Sequence, residues 1–144
     1  MDFKVVTFKV GDEEYAIDIK NIESVVEMLP ITKVPDAPYG VEGVINLRGE
    51  VMPIIDGRKK FGSSSFENDK AKIIIVNLSG KKYGFIVDDV REVLDVNENE
   101  IEDVKEIMSN LNTKYVDGII KKGERLIVLL KPNMVNEEIF SVVE

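Results

Sequence analysis

The side chains that usually perform covalent chemistry are scarce in this sequence. Histidine, cysteine and tryptophan are all absent, which excludes nucleophile-histidine catalysis and the usual transition-metal sites. Carboxylates remain, and Asp88-Asp89 after an apolar run is the pair that could act as acid and base or hold magnesium. Adjacent residues of an extended chain point to opposite sides, however, so a polar turn is the favoured reading of that pair. Gly80-Lys81-Lys82 lies between two strand-like runs and reads as a hairpin rather than a phosphate loop. Arg58-Lys59-Lys60 reads as a solvated helix turn. Arg48, in Asn46-Leu47-Arg48-Gly49, is either a solvated turn arginine or a planar charged fork for a partner carboxylate. The sequence therefore predicts recognition without catalysis, and no cofactor or metal.

Bulk properties narrow the partners. With 19 basic against 27 acidic residues the formal charge is -8, which opposes binding to nucleic acid or anionic lipid. No apolar run approaches the roughly 18 to 20 residues of a membrane span. The start, Met1-Asp2-Phe3-Lys4, has no signal-like pattern, and the lack of cysteine fits a reducing compartment. A cytoplasmic protein with no direct membrane insertion is expected. At 44% apolar, 144 residues can bury a core as a single domain.

The elements that must position Arg48 are short strands. Val44-Ile45-Asn46-Leu47 and Val51-Met52-Pro53-Ile54-Ile55 flank a glycine turn and predict a hairpin. Pro53 predicts that its second strand lies at an edge or carries a bulge. Upstream, Phe3 to Val10 and Tyr15 to Ile19 alternate around Gly11-Asp12. Ser24 to Leu29 fits strand or helix by period, and its β-branched residues favour strand. Ile31 to Ala37, bounded by prolines, predicts an extended packed connection. Asp56 to Phe61 suggests one helical turn, and Gly62 to Asp69 a boundary between halves. Ile73 to Val76 and Leu126 to Leu130 read as strands covered on both faces. Ile101, Val104, Ile107, Met108 and Leu111 have helical spacing within Asn99 to Asn112.

The chain also repeats itself. Tyr15 to Glu27 aligns with Tyr83 to Asp95, and Glu42-Gly43-Val44-Ile45 with Asp117-Gly118-Ile119-Ile120. Laying Gly49-Glu50 on Gly123-Glu124 puts Met52 to Ile55 over Leu126 to Leu129. Each half offers about five short strands at roughly 8 to 12 residue spacing, an all-β pattern of small barrels or sandwiches. Halves of this size have little core alone and should share an apolar interface.

Gly43-Val44-Ile45-Asn46-Leu47-Arg48-Gly49, Pro53-Ile54-Ile55-Asp56, Arg58, Phe61-Gly62 and Gly84 to Val90 with Val93-Leu94 strongly resemble the bacterial chemotaxis coupling proteins of the CheW family. The resemblance runs from about Phe3 to Val135. It implies two intertwined five-stranded β-barrels with short helical segments, in a single domain spanning 1–144. The subdomains would cover approximately 12–65 and 70–135, with exchange of an N-terminal strand allowed. It also implies a non-catalytic adaptor between the cytoplasmic tip of methyl-accepting chemoreceptors and the regulatory domain of the histidine kinase CheA, recruited to membrane-associated arrays. The alternative is a regulatory fragment of a kinase, or of a coupling protein fused to a receiver domain. By resemblance, Gly43, Asn46 and Arg48 match motif positions tied to coupling. Ile22, Ser24, Val25, Ile31 and Val93 fall on the partner-facing apolar surface, in a groove between the barrels. Ile101, Glu102 and Ile107 fall near a kinase contact. Gly57 departs from the leucine common at that position in the family.

Overall fold

Gly11 stands at a φ of 62° and lets Val10 face Glu13, closing β1 (Asp2–Val10) on β2 (Glu13–Asp18) in the computed structural model, which describes residues 2–61, 69–103, 115–135 and 137–143. A 3-10 turn at Ile19–Asn21 leads into β3 (Ile22–Glu27). β4 (Val41–Leu47) and β5 (Glu50–Asp56) form the predicted hairpin, followed by the short helix α1 (Gly57–Lys60). β6 (Lys72–Leu78) and β7 (Lys81–Val87) form the next, and β8 (Asp89–Asn97) follows after Asp88 alone. A 3-10 turn at Glu98–Glu100, then β9 (Ile101–Glu102), β10 (Val116–Lys122), β11 (Arg125–Leu130) and a 3-10 segment, Glu137–Val143, are the remaining elements among the described residues.

The strands make two sheets, ordered β8-β1-β2-β11-β10-β9 and β3-β6-β7-β5-β4. Both draw on both halves of the sequence, because the β1–β2 and β6–β7 hairpins are exchanged. The physical reason is the connections. β3 lies in the same sense as β7, the counterpart of β2, and same-sense strands of one sheet need a crossover of a dozen or more residues. Only Ile19–Asn21 joins β2 to β3, and only Asp88 joins β7 to β8. The chain must therefore pass straight from one sheet into the other.

Exchanging each strand for its counterpart reproduces the order, a parallel central pair (β5 with β7, β11 with β2) and the bulges. The β3–β6 ladder skips Glu23 and the β1–β8 ladder skips Arg91, while the two outgoing hairpins slip between Val41 and Gly43 and between Val116 and Gly118. Three apolar clusters fill the space. Ile45, Met52, Ile54, Ile73, Ile75 and Ile86 lie inside one sheet, and Val5, Ala16, Val96, Ile120, Ile127 and Leu129 inside the other. Between them is a shared core of Phe8, Ile17, Ile74, Val76, Tyr83, Phe85, Leu130 and others. β6 alternates strictly, with Ile73 and Ile75 in one cluster and Ile74 and Val76 in the next, which explains its continuous apolar run. Phe61 stacks on Tyr15 at 4.6 Å, and Phe140 meets Tyr83, the counterpart of Tyr15, edge-on at 6.4 Å.

Several expectations are corrected. Pro53 lies in an interior strand, with the bulge in its partner β4. Val44, facing Pro53, turns its own N–H and carbonyl to Thr32, so the ladder asks no proton of Pro53 on that side, and the pairing of β5 with β7 begins only at Ile54. Leu126 is 62% exposed rather than covered on both faces. Ile101 and Glu102 extend a sheet instead of opening a helix; the rest of that predicted helix from Val104 on, Ile107 included, lies outside the described residues, as does most of the boundary at Gly62 to Asp69. Arg58 is no solvated residue. Its Nε and Nη2 donate to Asp56 at 3.0 and 3.2 Å with the side chain only 12% exposed, and this bonding raises its pKa. The hairpin register also shifts the repeat by one residue: Ile45 faces Met52 as Ile120 faces Ile127, so Arg48-Gly49 answers Gly123-Glu124 and Glu50 answers Arg125.

Candidate functional site

Arg48 owes its position to its neighbours in sequence. Leu47 pairs with Glu50 across a two-residue turn whose members, Arg48 and Gly49, both have positive φ, 53° and 87°. That is the twist a tight hairpin prefers. The Asn46 side chain accepts a hydrogen bond from the Gly49 amide at 2.9 Å and fixes the turn. The β6–β7 hairpin repeats the device: Asn77 accepts from the Gly80 amide at 2.7 Å, and Ser79 has a φ of 54°. Asn-Leu-Arg-Gly and Asn-Leu-Ser-Gly are thus one turn motif used twice, a repeat that a direct reading of the sequence missed although the letters show it. Asn46 shapes the turn, and Arg48 projects from it, exposed and without an ion pair among the described residues.

Beside the tip, Lys82 donates to Glu23 at 2.9 Å and to Glu50 at 3.0 Å. Glu23 also accepts from Asn77 at 3.3 Å. Lys82 is the main reason that the Glu23 pKa is lowered, and the positive charge of Arg48 contributes. Lys82 is raised in turn by Glu23 and then Glu50. This cluster was not anticipated, since its members come from four separate strands.

The other predicted positions divide by what they touch. Val25 and Val93 are counterparts on the outer strands β3 and β8, 39% and 53% exposed. Val25 sits beside Ile74, and Val93 beside Val6, on the sheet faces that carry the shared core. Ile22 and Ser24 are half-buried, Ile22 packing against that core. Gly43 has a backbone reason to be glycine: at its φ of 153°, a Cβ would stand 2.2 Å from the Thr32 carbonyl oxygen. Thr32 bridges Val44 there with two backbone bonds of 2.9 and 2.8 Å, and Ile31 packs beside it. Gly118 does the same for β9, where a Cβ would meet Ile101 at 2.7 Å and the Glu102 carbonyl oxygen at 2.9 Å. Ile31 and Ile101 are therefore counterparts, each laid over a glycine of a neighbouring strand. Asp88 is a staple rather than an acid: its Oδ2 accepts from the Gly11 amide at 2.7 Å, tying the β1–β2 turn to the β7–β8 crossing. A cleft of about 460 Å³, lined by Tyr39, Val41, Lys59, Tyr115 and Ile139 among others, contains none of the positions predicted for binding.

Residues 4–139 match the family described as CheW-like domain. The chain belongs to the CheW family. It is 36% identical to the chemotaxis protein CheW of Thermotoga maritima over 141 residues, covering 96% of this chain and 90% of that relative. It is 38% identical to CheW of Helicobacter pylori, covering 86% of this chain and 75% of that one. The crystal structure of the scaffolding protein TtCheW from Thermoanaerobacter tengcongensis superposes with a TM-score of 0.81 at 39% identity, over 91% of this chain and 90% of that one. The all-β fold is that of the CheW scaffold, and the chain is a chemotaxis scaffold protein rather than an enzyme. No helix among the described residues is long and apolar enough to cross a membrane.

Proposed function

We propose that the protein couples the cytoplasmic tip of methyl-accepting chemoreceptors to the regulatory domain of the histidine kinase CheA, as a cytoplasmic adaptor recruited to receptor arrays. The observation that carries this reading is Arg48, a charged residue held in the left-handed region at an exposed tip with no ion pair among the described residues. Val25 and Val93 supply the exposed apolar surface for the same contact, with Ile22 and Ser24 beneath it. Asn46 and Gly43 act by shaping the backbone that presents Arg48 and Ile31. Ile101 and Glu102, with Ile107, form the second contact, toward the kinase. The whole of 1–144 acts as one CheW-like domain with halves near 12–65 and 70–135.

A pull-down with a receptor cytoplasmic fragment and the kinase regulatory domain tests this reading. Val25→Asp and Val93→Asp should each weaken receptor capture by roughly tenfold or more, as expected when a contact residue is charged. Both fragments captured equally well by wild type and both variants would sink the assignment of that surface.

A further inference from the structure

None of the described positions assigned to receptor or kinase lines the cleft of about 460 Å³, yet its rim carries the most exposed aromatic ring among the described residues, Tyr39. Pro38-Tyr39-Gly40-Val41 is a β-turn: the Val41 amide donates to the Pro38 carbonyl at 3.1 Å, and Gly40 takes a φ of 91° at the third place. Tyr39 is thereby held at the corner of a closed turn, with its ring fully in solvent. Such a ring has an apolar body, a polar tip and few torsions to freeze, which suits it to anchor a contact.

The cleft beside it is mainly apolar. Ile55 and Ile139, both buried, line it with Val41, Tyr115 and Val135, which pack against the shared core. Its charges balance. Glu42 pairs with Lys59 at 2.8 Å and Asp56 with Arg58 at 3.0 Å, while Glu138 is matched in number by Lys60, whose ammonium stands 4.1 Å from the centre of the Tyr115 ring. Two molecules of formal charge -8 repel where their surfaces are acidic and meet with least opposition at a patch of balanced charge. Ring and cleft adjoin on one molecule, so a two-fold axis beside Tyr39 fills both clefts at once and closes the assembly at two.

We propose that this surface is the face of a homodimer in which each copy seats Tyr39 in the cleft of the other. The dimer joins two scaffolds and leaves the described receptor and kinase positions of both open.

The chain has no tryptophan, so Tyr39→Trp supplies a single indole reporter. Sedimentation equilibrium in about 0.5 M salt, which screens the mutual repulsion, should show wild type and Tyr39→Trp passing from one chain to two between roughly 10 μM and 1 mM. Over that range the indole emission should move to shorter wavelength. Tyr39→Ser should weaken the dimer by about tenfold or more, melt like the wild type, and capture the receptor fragment and the kinase regulatory domain unchanged. Wild type that stays a single chain throughout overturns the proposal. So does a dimer that Tyr39→Ser forms equally well, or one in which the indole of Tyr39→Trp keeps the emission of a water-exposed ring. Loss of receptor or kinase capture in a normally melting Tyr39→Ser would assign the cleft to that partner, and overturns the proposal as well.

Discussion

Replacing Arg48 by glycine should raise stability while removing coupling, a combination that few substitutions produce. Arg48 occupies the left-handed region with a φ of 53°. For a residue with a Cβ that conformation costs about 1 to 2 kcal/mol, and glycine avoids it. Glycine also loses more freedom on folding, which returns roughly 0.5 to 1 kcal/mol. The net expectation for Arg48→Gly is a gain of about 0.5 to 1 kcal/mol, or a rise in melting temperature of roughly 1 to 4 °C for a domain near this size. Arg48→Ala keeps the strain and should melt like the wild type. Ser79→Gly is the control, because Ser79 holds the same conformation, φ 54°, in the matching turn away from the motif. It should show the same small rise and leave coupling intact. The assay pairs thermal melting with kinase activity in reconstituted receptor arrays. Loss of stability in Arg48→Gly would make the arginine structural, and retained receptor control in both Arg48 variants would show that the side chain plays no part in coupling.

Ile74 is fully buried in the shared core, so Ile74→Asp should destabilise by roughly 4 kcal/mol or more, and an unchanged urea midpoint would contradict its two-sided burial. Gly43→Ala and Gly118→Ala should each lower stability by about 1 to 3 kcal/mol, because a Cβ would press on the Thr32 carbonyl oxygen in one and on Ile101 in the other; wild-type melting of either would show that the neighbouring segment yields freely. Phe140→Ala should cost about 3 to 5 kcal/mol, since the ring is buried against Tyr83; a smaller loss in chemical denaturation would mean that the C-terminal segment is dispensable. Glu23, Asp95 and Glu100 have lowered pKa values, held there chiefly by Lys82, by Lys4 and by the Asn97 amide. Their folded values lie below the unfolded ones, so their stabilisation is complete above the ordinary carboxylate range of about 4 to 4.5 and is lost as pH falls through the lowered folded values. Melting temperatures should drop over that acid range, and a curve flat down to pH 3 would refute the linkage.

Much of the fold was legible because its turns are written in glycine. Gly11, Gly49, Gly80 and Gly123 each sit at positive φ where alternating apolar runs meet, so four hairpins could be placed from sequence. The repeat was legible too, but its register in the last hairpin was not. Val51-Met52 and Leu126-Ile127 slide by one place with little change in apolar pattern, and only the pairing of Ile45 with Met52 and of Ile120 with Ile127 resolves it. Ile101-Glu102 was hidden because two residues of strand carry no period, while the apolar residues beyond have helical spacing. The burial of Met134, Ile139 and Phe140 was not legible, for burial of so short a segment depends on a surface made by distant strands. Of the site, Arg48 could be found from its turn, whereas the ion pairs of Lys82 with Glu23 and Glu50 join residues far apart in sequence.

The exchange of hairpins also bears on what the scaffold can present. Each crossing from one sheet to the other leads at once into the outer strand that carries an exposed valine, β3 with Val25 and β8 with Val93. Ile22 and Val90, three residues upstream of these valines, both pack against the shared core. The two valines are thereby referenced to one apolar cluster rather than to two separate barrels. Separating the sheets would require exposing Phe8, Ile74, Phe85 and Leu130 together, and burial of side chains of this size contributes roughly 1.5 to 3 kcal/mol each. Relative motion of the two outer strands is therefore opposed by the same contacts that hold the fold. A scaffold needs this property, because a partner spanning both strands meets a surface that is set before it arrives, and little of its binding energy is spent on ordering that surface.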